Sequence, residues 1–231
     1  MIIAGLYPCS FIDYPGRLSV ILFVQGCNLR CGYCHNSGLI GDVPERSLDE
    51  ETVLSFLSKR RKRINAVVIS GGEPTLSSGL RDLVRKVKGL GFCVKLDTNG
   101  TRPGALGAIL EEDLLDFVAM DLKDLPEDYA TLCRAKVSPG SIYRSIRHVI
   151  DSCVEHEFRT TVVAPYHSTD RLLRMARVLD GVQSWVLQQY KPGSTLLKNP
   201  PFRVPDLASL RETAARIQDE TGVPCSCRGF Q

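Results

Sequence analysis

Apolar residues recur along this chain in short runs that alternate with helix-spaced patterns. Leu18–Gln25 (LSVILFVQ) is an almost unbroken apolar, β-branched stretch, which reads as a buried strand. Comparable runs at Ala66–Ile69, Phe92–Leu96, Phe117–Asp121, Arg159–Ala164 and Trp185–Gln189 predict five more strands, and a short one is expected in the lead-in at Ile2–Gly5. Between them the apolar period changes to that of a helix. Val53, Phe56, Leu57 and Ile64 share one face, as do Leu80, Leu83, Val84, Val87 and Leu90. Further helices are predicted near Ala105–Leu110, through Ile142, Ile146, Val149, Ile150 and Cys153, through Leu172, Leu173, Ala176 and Leu179, and over Asp206–Thr221 up to Gly222. Ser47-Leu48-Asp49-Glu50 reads as a capping box for the first of them.

Six strand–helix alternations imply a parallel sheet with right-handed crossovers. A closed eight-fold barrel usually takes about 250 residues. Six units in 231 residues therefore predict an α/β fold of the incomplete (β/α)6 barrel kind, with one open side. Residues 1–17 form a lead-in, 18–190 the partial barrel and 191–231 a flank of loop and helix. The balance of 29 basic and 26 acidic residues, net +3, gives no case for nucleic acid. No apolar run approaches the roughly 20 residues of a membrane span, and no signal peptide is evident at Met1-Ile2-Ile3. Nine cysteines in such a chain point to a reducing, low-oxygen cytoplasm.

The chemistry is concentrated just past the first long strand. Gly26 lets the backbone turn, and Cys27, Cys31 and Cys34 follow in the spacing C-x3-C-x2-C. Thiolates hold iron–sulfur clusters, and a [4Fe–4S] cluster normally takes four protein ligands. Three in quick succession leave one iron open for a small molecule. A zinc reading lacks a comfortable fourth ligand, since His35 adjoins Cys34. The ends of the next strands carry Ser70-Gly71-Gly72-Glu73-Pro74, then Asp97-Thr98-Asn99-Gly100, then Asp121 and Lys123. In barrel folds such strand ends meet at one face, where active sites collect.

The cysteine loop with Tyr33 before its third cysteine, together with Gly71-Gly72-Glu73, resembles the radical S-adenosylmethionine (SAM) superfamily. The stretches Ser10-Phe11-Ile12-Asp13-Tyr14-Pro15-Gly16, Gln25-Gly26-Cys27 and Cys34-His35-Asn36 are similar to glycyl-radical-enzyme activating proteins, most of all the longer activators of anaerobic ribonucleoside-triphosphate reductase. Ser37 departs from the usual proline there. The resemblance implies the radical SAM type of incomplete (β/α)6 barrel, with a [4Fe–4S] cluster on Cys27, Cys31 and Cys34. SAM would contact Tyr33, His35, Gly71, Gly72, Glu73 and Lys123. Asp97, Thr98 and Asp121, with the Ala119 carbonyl, would hold a monovalent cation, because two carboxylates beside the SAM carboxylate otherwise repel it. It further implies a glycyl-radical enzyme as protein substrate, an electron donor such as flavodoxin or ferredoxin, and no membrane or nucleic acid.

Other readings stay open. One is a pyruvate formate-lyase-type activating enzyme. Another is small-molecule radical chemistry such as deazapurine synthesis, and a third is a non-catalytic iron–sulfur or zinc module. Cys93 and Cys153 read as buried packing, and Cys225 and Cys227 as exposed terminal thiols. The basic run Lys59-Arg60-Arg61-Lys62-Arg63 reads as a solvated helix end. Pro192–Pro205 and the last helix are expected to border the entrance and meet the partner protein.

Overall fold

The computed structural model of the protein describes residues 1–44, 46–193 and 201–229. Eight strands lie in one sheet in chain order, β1 to β8. The chain divides into two compact units that interleave in sequence. The first comprises Met1–Asn28, Gly38–Thr98 and Gly104–Ala119, the second Leu29–Ser37, Asn99–Pro103 and the described part of Met120–Gln231. No helix among the described residues is long and apolar enough to cross a membrane.

In the first unit, β1 (Ile3–Ser10) pairs antiparallel with β2 (Ser19–Val24). Strand β3 (Ala66–Gly71) runs parallel to β2, Ser19 opposite Ala66 and Val24 opposite Gly71, and β4 (Cys93–Thr98) runs parallel to β3. Parallel strands are covered on both faces, which is why Val20, Leu22, Val67, Val68 and Ile69 are all buried. Helices α1 (Glu50–Arg60) and α2 (Leu80–Gly89) follow β2 and β3. One core cluster gathers Tyr14, Ile21, Ala66, Val68, Phe117 and Ala119, with the Tyr14 and Phe117 rings 5.8 Å apart. Tyr14 thus anchors the lead-in, while Phe11 and Ile12 beside it are exposed.

Helix α3 (Pro103–Leu110) leads to β5 (Phe117–Asp121), where the division into units falls. The second unit continues through α4 (Tyr129–Cys133) and α5 (Pro139–Asp151) to β6 (Glu155–Val162). Helix α6 (Thr169–Ala176), strand β7 (Trp185–Gln189), helix α7 (Leu207–Thr221) and β8 (Cys225–Arg228) complete it. Strand β7 runs parallel to both β6 and β8. Trp185 is fully buried, and its indole N–H donates to Thr160 Oγ1 at 3.0 Å. That hydroxyl in turn donates to the Leu122 carbonyl at 2.7 Å, so the Trp185 indole and the Thr160 hydroxyl both find partners.

Six βα units are present, as the apolar pattern predicts, and four details differ. Strand β8 is an addition: Cys225 and Cys227 are half-buried in a paired strand rather than exposed thiols. Burial, and secondarily the neighbouring Cys227, pushes the Cys225 thiol up to about 12. Cys153 is exposed beyond the end of α5 instead of packed, because the helix stops at Asp151. The cap of α1 is Asp49, whose carboxylate accepts the Thr52 N–H at 2.7 Å, so the helix starts later than a box capped by Ser47 requires. Strand β6 begins at Glu155, earlier than Arg159.

Candidate active site

The Gly-Gly-Glu loop is pressed against the end of β2. Gly71 has φ +108, open to glycine without strain. A Cβ on Gly72 would lie 2.0 Å from the Gly26 carbonyl oxygen. The Gly72 N–H donates to Val24 O at 2.8 Å and the Glu73 N–H to Gly26 O at 2.7 Å. The two glycines therefore serve first to dock this loop on the backbone that leads into Cys27. Glu73 is 1% exposed; its carboxylate accepts from the Thr75 N–H at 3.1 Å, from the Thr75 hydroxyl, and from Thr98 Oγ1 at 2.7 Å. Its role within the unit is to cap the short turn Pro74–Leu76 and tie it to the end of β4.

Asp97 lies one residue before Thr98 and is not without cationic company. Lys95 Nζ sits 2.8 Å from Asp97 Oδ1 and donates to the Asp13 carbonyl at 2.7 Å, and Ser70 Oγ donates to Asp97 Oδ2 at 2.9 Å. Lys95 is 1% exposed. A buried ammonium is tolerated only when paired and hydrogen-bonded. The sequence signal was present, a lysine inside an apolar strand with an acid two residues on, hence on the same face.

Cys27 begins the cysteine loop; its N–H donates to the Ile40 carbonyl at 3.2 Å. In the second unit, the Cys34 N–H donates to the Cys31 carbonyl at 3.0 Å and closes a turn between those two cysteines. Cys31 is buried, whereas Cys27 and Cys34 are partly accessible. A hydrogen bond from Cys133 does most to draw the Cys31 thiol down to about 7; burial opposes it and the Lys123 charge assists. Burial pushes the Cys34 thiol up. Tyr33 is 4% exposed and packs edge-to-face on Phe202, ring centroids 5.8 Å apart, while its hydroxyl finds no hydrogen-bond partner among the described residues. Phe202 also meets Tyr166 and Tyr190, and His35 stacks on Tyr190. Burial, then the Lys191 charge, holds His35 below the usual imidazole range.

Asp121 closes β5 between two cations: Lys123 Nζ and Arg159 Nε each stand 2.9 Å from its carboxylate. Burial is the largest single influence and pushes this carboxyl up, but Arg159 and Lys123 together outweigh it and hold it at about 2. The Lys123 backbone is fixed on both sides. Its N–H donates to the Tyr129 hydroxyl and its carbonyl lies 3.0 Å from His167 Nε2, each within the second unit. The same His167 accepts the Val163 N–H at Nδ1, so it is neutral with its proton on Nε2, in keeping with a pKa lowered by burial. Lys95, Arg159 and Cys133 are the site-side residues that the sequence reading passed over.

The Asp121 pair supports a pH prediction. A carboxyl held below its unfolded value of about 3.9 contributes stability that is complete above that pH. The contribution is lost as the pH falls through about 2. Asp121→Asn, which removes the carboxylate that faces Lys123 Nζ and Arg159 Nε, is expected to destabilise the chain at neutral pH. Urea titrations of the two proteins should give a constant gap from pH 7 to about pH 4, narrowing below it. A gap independent of acid would remove the ion pair from the account.

Among the described residues no group of three or more His, Cys, Asp or Glu is drawn together as a metal site. The donor set nonetheless fits an iron–sulfur cluster: three soft thiol ligands on one loop, one of them acidified by its surroundings. The unpartnered, buried Tyr33 hydroxyl marks a polar group awaiting a contact beside them.

Fold and placement together define an α/β protein whose chemistry-bearing residues follow the C-terminal ends of successive strands. The sequence matches the Radical SAM superfamily over residues 21–179. A Methanocaldococcus jannaschii protein, named as a glycyl-radical enzyme activating enzyme with the role marked unproven, is 32% identical over 198 residues, 83% of this chain and 80% of its own. The pyruvate formate-lyase 1-activating enzyme of Escherichia coli K12 is 32% identical over 127 residues, 52% of this chain and 51% of that one, so the chain spans about half of that relative. Streptococcus suis SuiB bound to S-adenosylmethionine superposes with a TM-score of 0.71 at 16% identity, over 91% of this chain and 52% of the other. That likeness speaks for the fold alone, the incomplete (β/α)6 barrel of the radical SAM type. The chain belongs to the radical SAM superfamily and is an enzyme of that class.

Proposed function

We propose that this protein activates a glycyl-radical enzyme, with anaerobic ribonucleoside-triphosphate reductase as the first partner to test. The observation that carries the reading is the C-x3-C-x2-C loop in a chain that is 32% identical to a relative named for that activity over most of its length. Partial barrel 18–190 carries the chemistry, between lead-in 1–17 and flank 191–231. Cys27, Cys31 and Cys34 would hold the [4Fe–4S] cluster, and Tyr33, His35, Gly71, Gly72, Glu73 and Lys123 would line the SAM site. When bound, cluster and SAM supply the radical chemistry: one electron from a donor such as flavodoxin or ferredoxin cleaves the sulfonium, and a hydrogen atom is taken from a backbone glycine. The chain's own task is to hold and orient. Glu73 and Thr98 brace the glycine loop, and Asp121 pins the Lys123 ammonium while Tyr129 and His167 fix its backbone.

The proposed setting is the cytoplasm, with no membrane or nucleic acid. Residues 194–200 of the proposed docking loop Pro192–Pro205 lie outside the described residues. The part that is described is anchored: Arg203 pairs with Ala164 through both backbone bonds, at 2.9 and 3.2 Å, and Phe202 sits in the aromatic group. We keep the loop and α7 as the partner-facing flank.

The deciding experiment mixes the reduced, reconstituted protein with SAM and a candidate partner deuterated at glycine. A glycyl-radical signal by electron paramagnetic resonance, with deuterium in 5′-deoxyadenosine, supports the reading. SAM cleavage with no radical on any glycyl-radical enzyme of the same organism refers the activity to a small molecule. The identity to the Escherichia coli activating enzyme makes a pyruvate formate-lyase-like partner the second to try.

The monovalent cation belongs to the same reading. Lys95, Lys123 and Arg159 already counter the carboxylates of Asp97 and Asp121 and compete with it for them. SAM affinity that rises with potassium over tetramethylammonium, and loses that rise in Asp97→Asn, is the expected result. Equal binding in the two salts assigns those acids to the protein's own cations.

A further inference from the structure

The cations of the first two helices are treated differently by the fold. On α2 each is matched: Arg81 and Arg85 pair with Glu112, Arg85 also with Asp82 at 2.7 Å, Lys86 with Glu50, and Lys88 with Asp116 at 2.8 Å. At the end of α1, Lys59, Arg61, Lys62 and Arg63 are exposed, and none of the four forms an ion pair among the described residues. The helix dipole favours Lys59 and Arg60 in the last turn, but its pull fades there and does not account for Lys62 and Arg63 beyond the cap at Arg61. Neighbouring like charges repel, so the run costs the fold something and returns nothing to it.

The same end of the sheet exposes apolar residues. Strand β1 ends at Ser10, which pairs with Ser19 at the start of β2, and Ser19 in turn lies opposite Ala66 at the start of β3. The loop 11–18 therefore turns beside the segment that carries the basic run into β3, within the first unit. Tyr14 is buried in the core cluster with Ala66, whereas Phe11 and Ile12 are 80% and 84% exposed. Asp13 accepts the Ser10 hydroxyl and Asp116 is held by Lys88, so neither acid neutralises the run. Large apolar side chains beside uncompensated arginines make a recognition surface: the apolar groups anchor, and the guanidinium forks fit carboxylates.

We propose that loop 11–18 and the run Lys59–Arg63 form a docking surface for an acidic, carboxylate-bearing face of the protein substrate. The inference rests on the activase reading and adds a contact on the first unit to the flank already named. That reading requires a protein to be held while its glycine is presented, a task that neither a lipid surface nor a nucleic acid performs. The surface lies at the N-terminal ends of β2 and β3, and the cysteine loop leaves the other end of β2, six residues or about 20 Å along the strand. It therefore holds the partner away from the chemistry. Its loss should raise the KM for the partner and leave kcat unchanged.

The test follows glycyl-radical formation by electron paramagnetic resonance against partner concentration, with a chemical reductant so that no protein donor takes part. Combined Arg61→Glu, Lys62→Glu and Arg63→Glu should raise the KM for the partner about tenfold or more at low salt, as loss of opposite-charge steering does. Uncoupled SAM cleavage and kcat should stay as they are. Phe11→Ser with Ile12→Ser should raise KM as well. Arg174→Glu with Arg177→Glu, which reverses two exposed charges of α6 and its cap, should leave KM where it is. In the unaltered protein KM should climb with salt and meet that of the triple variant near 1 M, where the screening length falls to about 3 Å. That measurement holds even if the triple variant misfolds.

An unchanged KM in the triple variant, or a KM of the unaltered protein that ignores salt, overturns the proposal. So does an equal rise in the α6 variant, which would assign the effect to net charge. Binding to phosphatidylglycerol vesicles or to an RNA oligonucleotide that the triple variant loses, with KM unmoved, gives the surface to that ligand and overturns it too. Absence of a radical on every glycyl-radical enzyme tried with the unaltered protein is a separate result, and it sinks the activase reading itself.

Discussion

Cys31→Ala is expected to bring iron and sulfide down to background after anaerobic reconstitution, while Cys93→Ala and Cys153→Ala keep a full complement. Cys31 is the sharpest of the three loop cysteines to test. It is the buried one, and its thiol is drawn down to about 7, so it is already biased toward the thiolate that the proposed cluster would require. Cys27 and Cys34 should behave alike, since a three-thiolate set has no spare ligand. The controls are well separated from that chemistry. Cys93 is half-buried against the Tyr14–Phe117 core cluster, where losing a sulfur atom costs packing and nothing else. Cys153 is exposed after α5 and should be silent in iron content and in stability. Ultraviolet–visible absorption and an iron assay on the five variants decide the matter. Full iron in Cys31→Ala would remove the loop from consideration as the cluster site.

What the amino-acid sequence disclosed of this protein divides along physical lines. Strands β2, β3 and β5 were legible because each is a mostly apolar run buried along nearly its whole length, the pattern that parallel sheets impose, whereas β4 and β7 mix apolar with polar residues and β6, EHEFRTTV, was legible only from Arg159 on. Strand β8 was not, because Cys225-Ser226-Cys227-Arg228 has neither apolar alternation nor branched side chains; its partner β7 and the preceding α7 make it a strand. The motif residues were legible because their chemistry is local: thiols at fixed spacing, glycines where backbones touch. The residues that brace them were hidden because their partners are distant in sequence. Arg159 reaches Asp121 across 38 positions, and the Cys133 carbonyl accepts the Arg30 N–H from a short helix far along the chain. Lys95 is the exception; its charge inside an apolar strand was visible, and its meaning waited on finding Asp97 and the Asp13 carbonyl around it.

The second large effect is expected from one methyl group. In Gly72→Ala the new Cβ would lie 2.0 Å from Gly26 O, 2.7 Å from Gly26 C and 3.1 Å from Leu39 O. All three are backbone atoms, so no side chain can rotate away to make room. Relief requires the β3 loop to lift off the end of β2, which breaks the Gly72-to-Val24 and Glu73-to-Gly26 hydrogen bonds. Each such bond contributes about 0.5–1.5 kcal/mol net, and overpacking adds about 1–3 kcal/mol. A loss on the order of 3 kcal/mol is a large share of the roughly 5–15 kcal/mol that keeps a domain folded. Gly104→Ala is the matched control. Gly104 is exposed in α3 with nothing within 4 Å of its would-be Cβ, and alanine there should stabilise by up to about 1 kcal/mol. Urea unfolding midpoints should therefore move in opposite directions, with Gly72→Ala far lower. The same substitution should lower iron loading in whatever fraction still folds, because Gly26 directly precedes Cys27 and cannot shift without moving it. Equal midpoints for the two alanine variants would mean that the loop yields freely, and that the close approach at Gly72 does not hold the first cysteine in place.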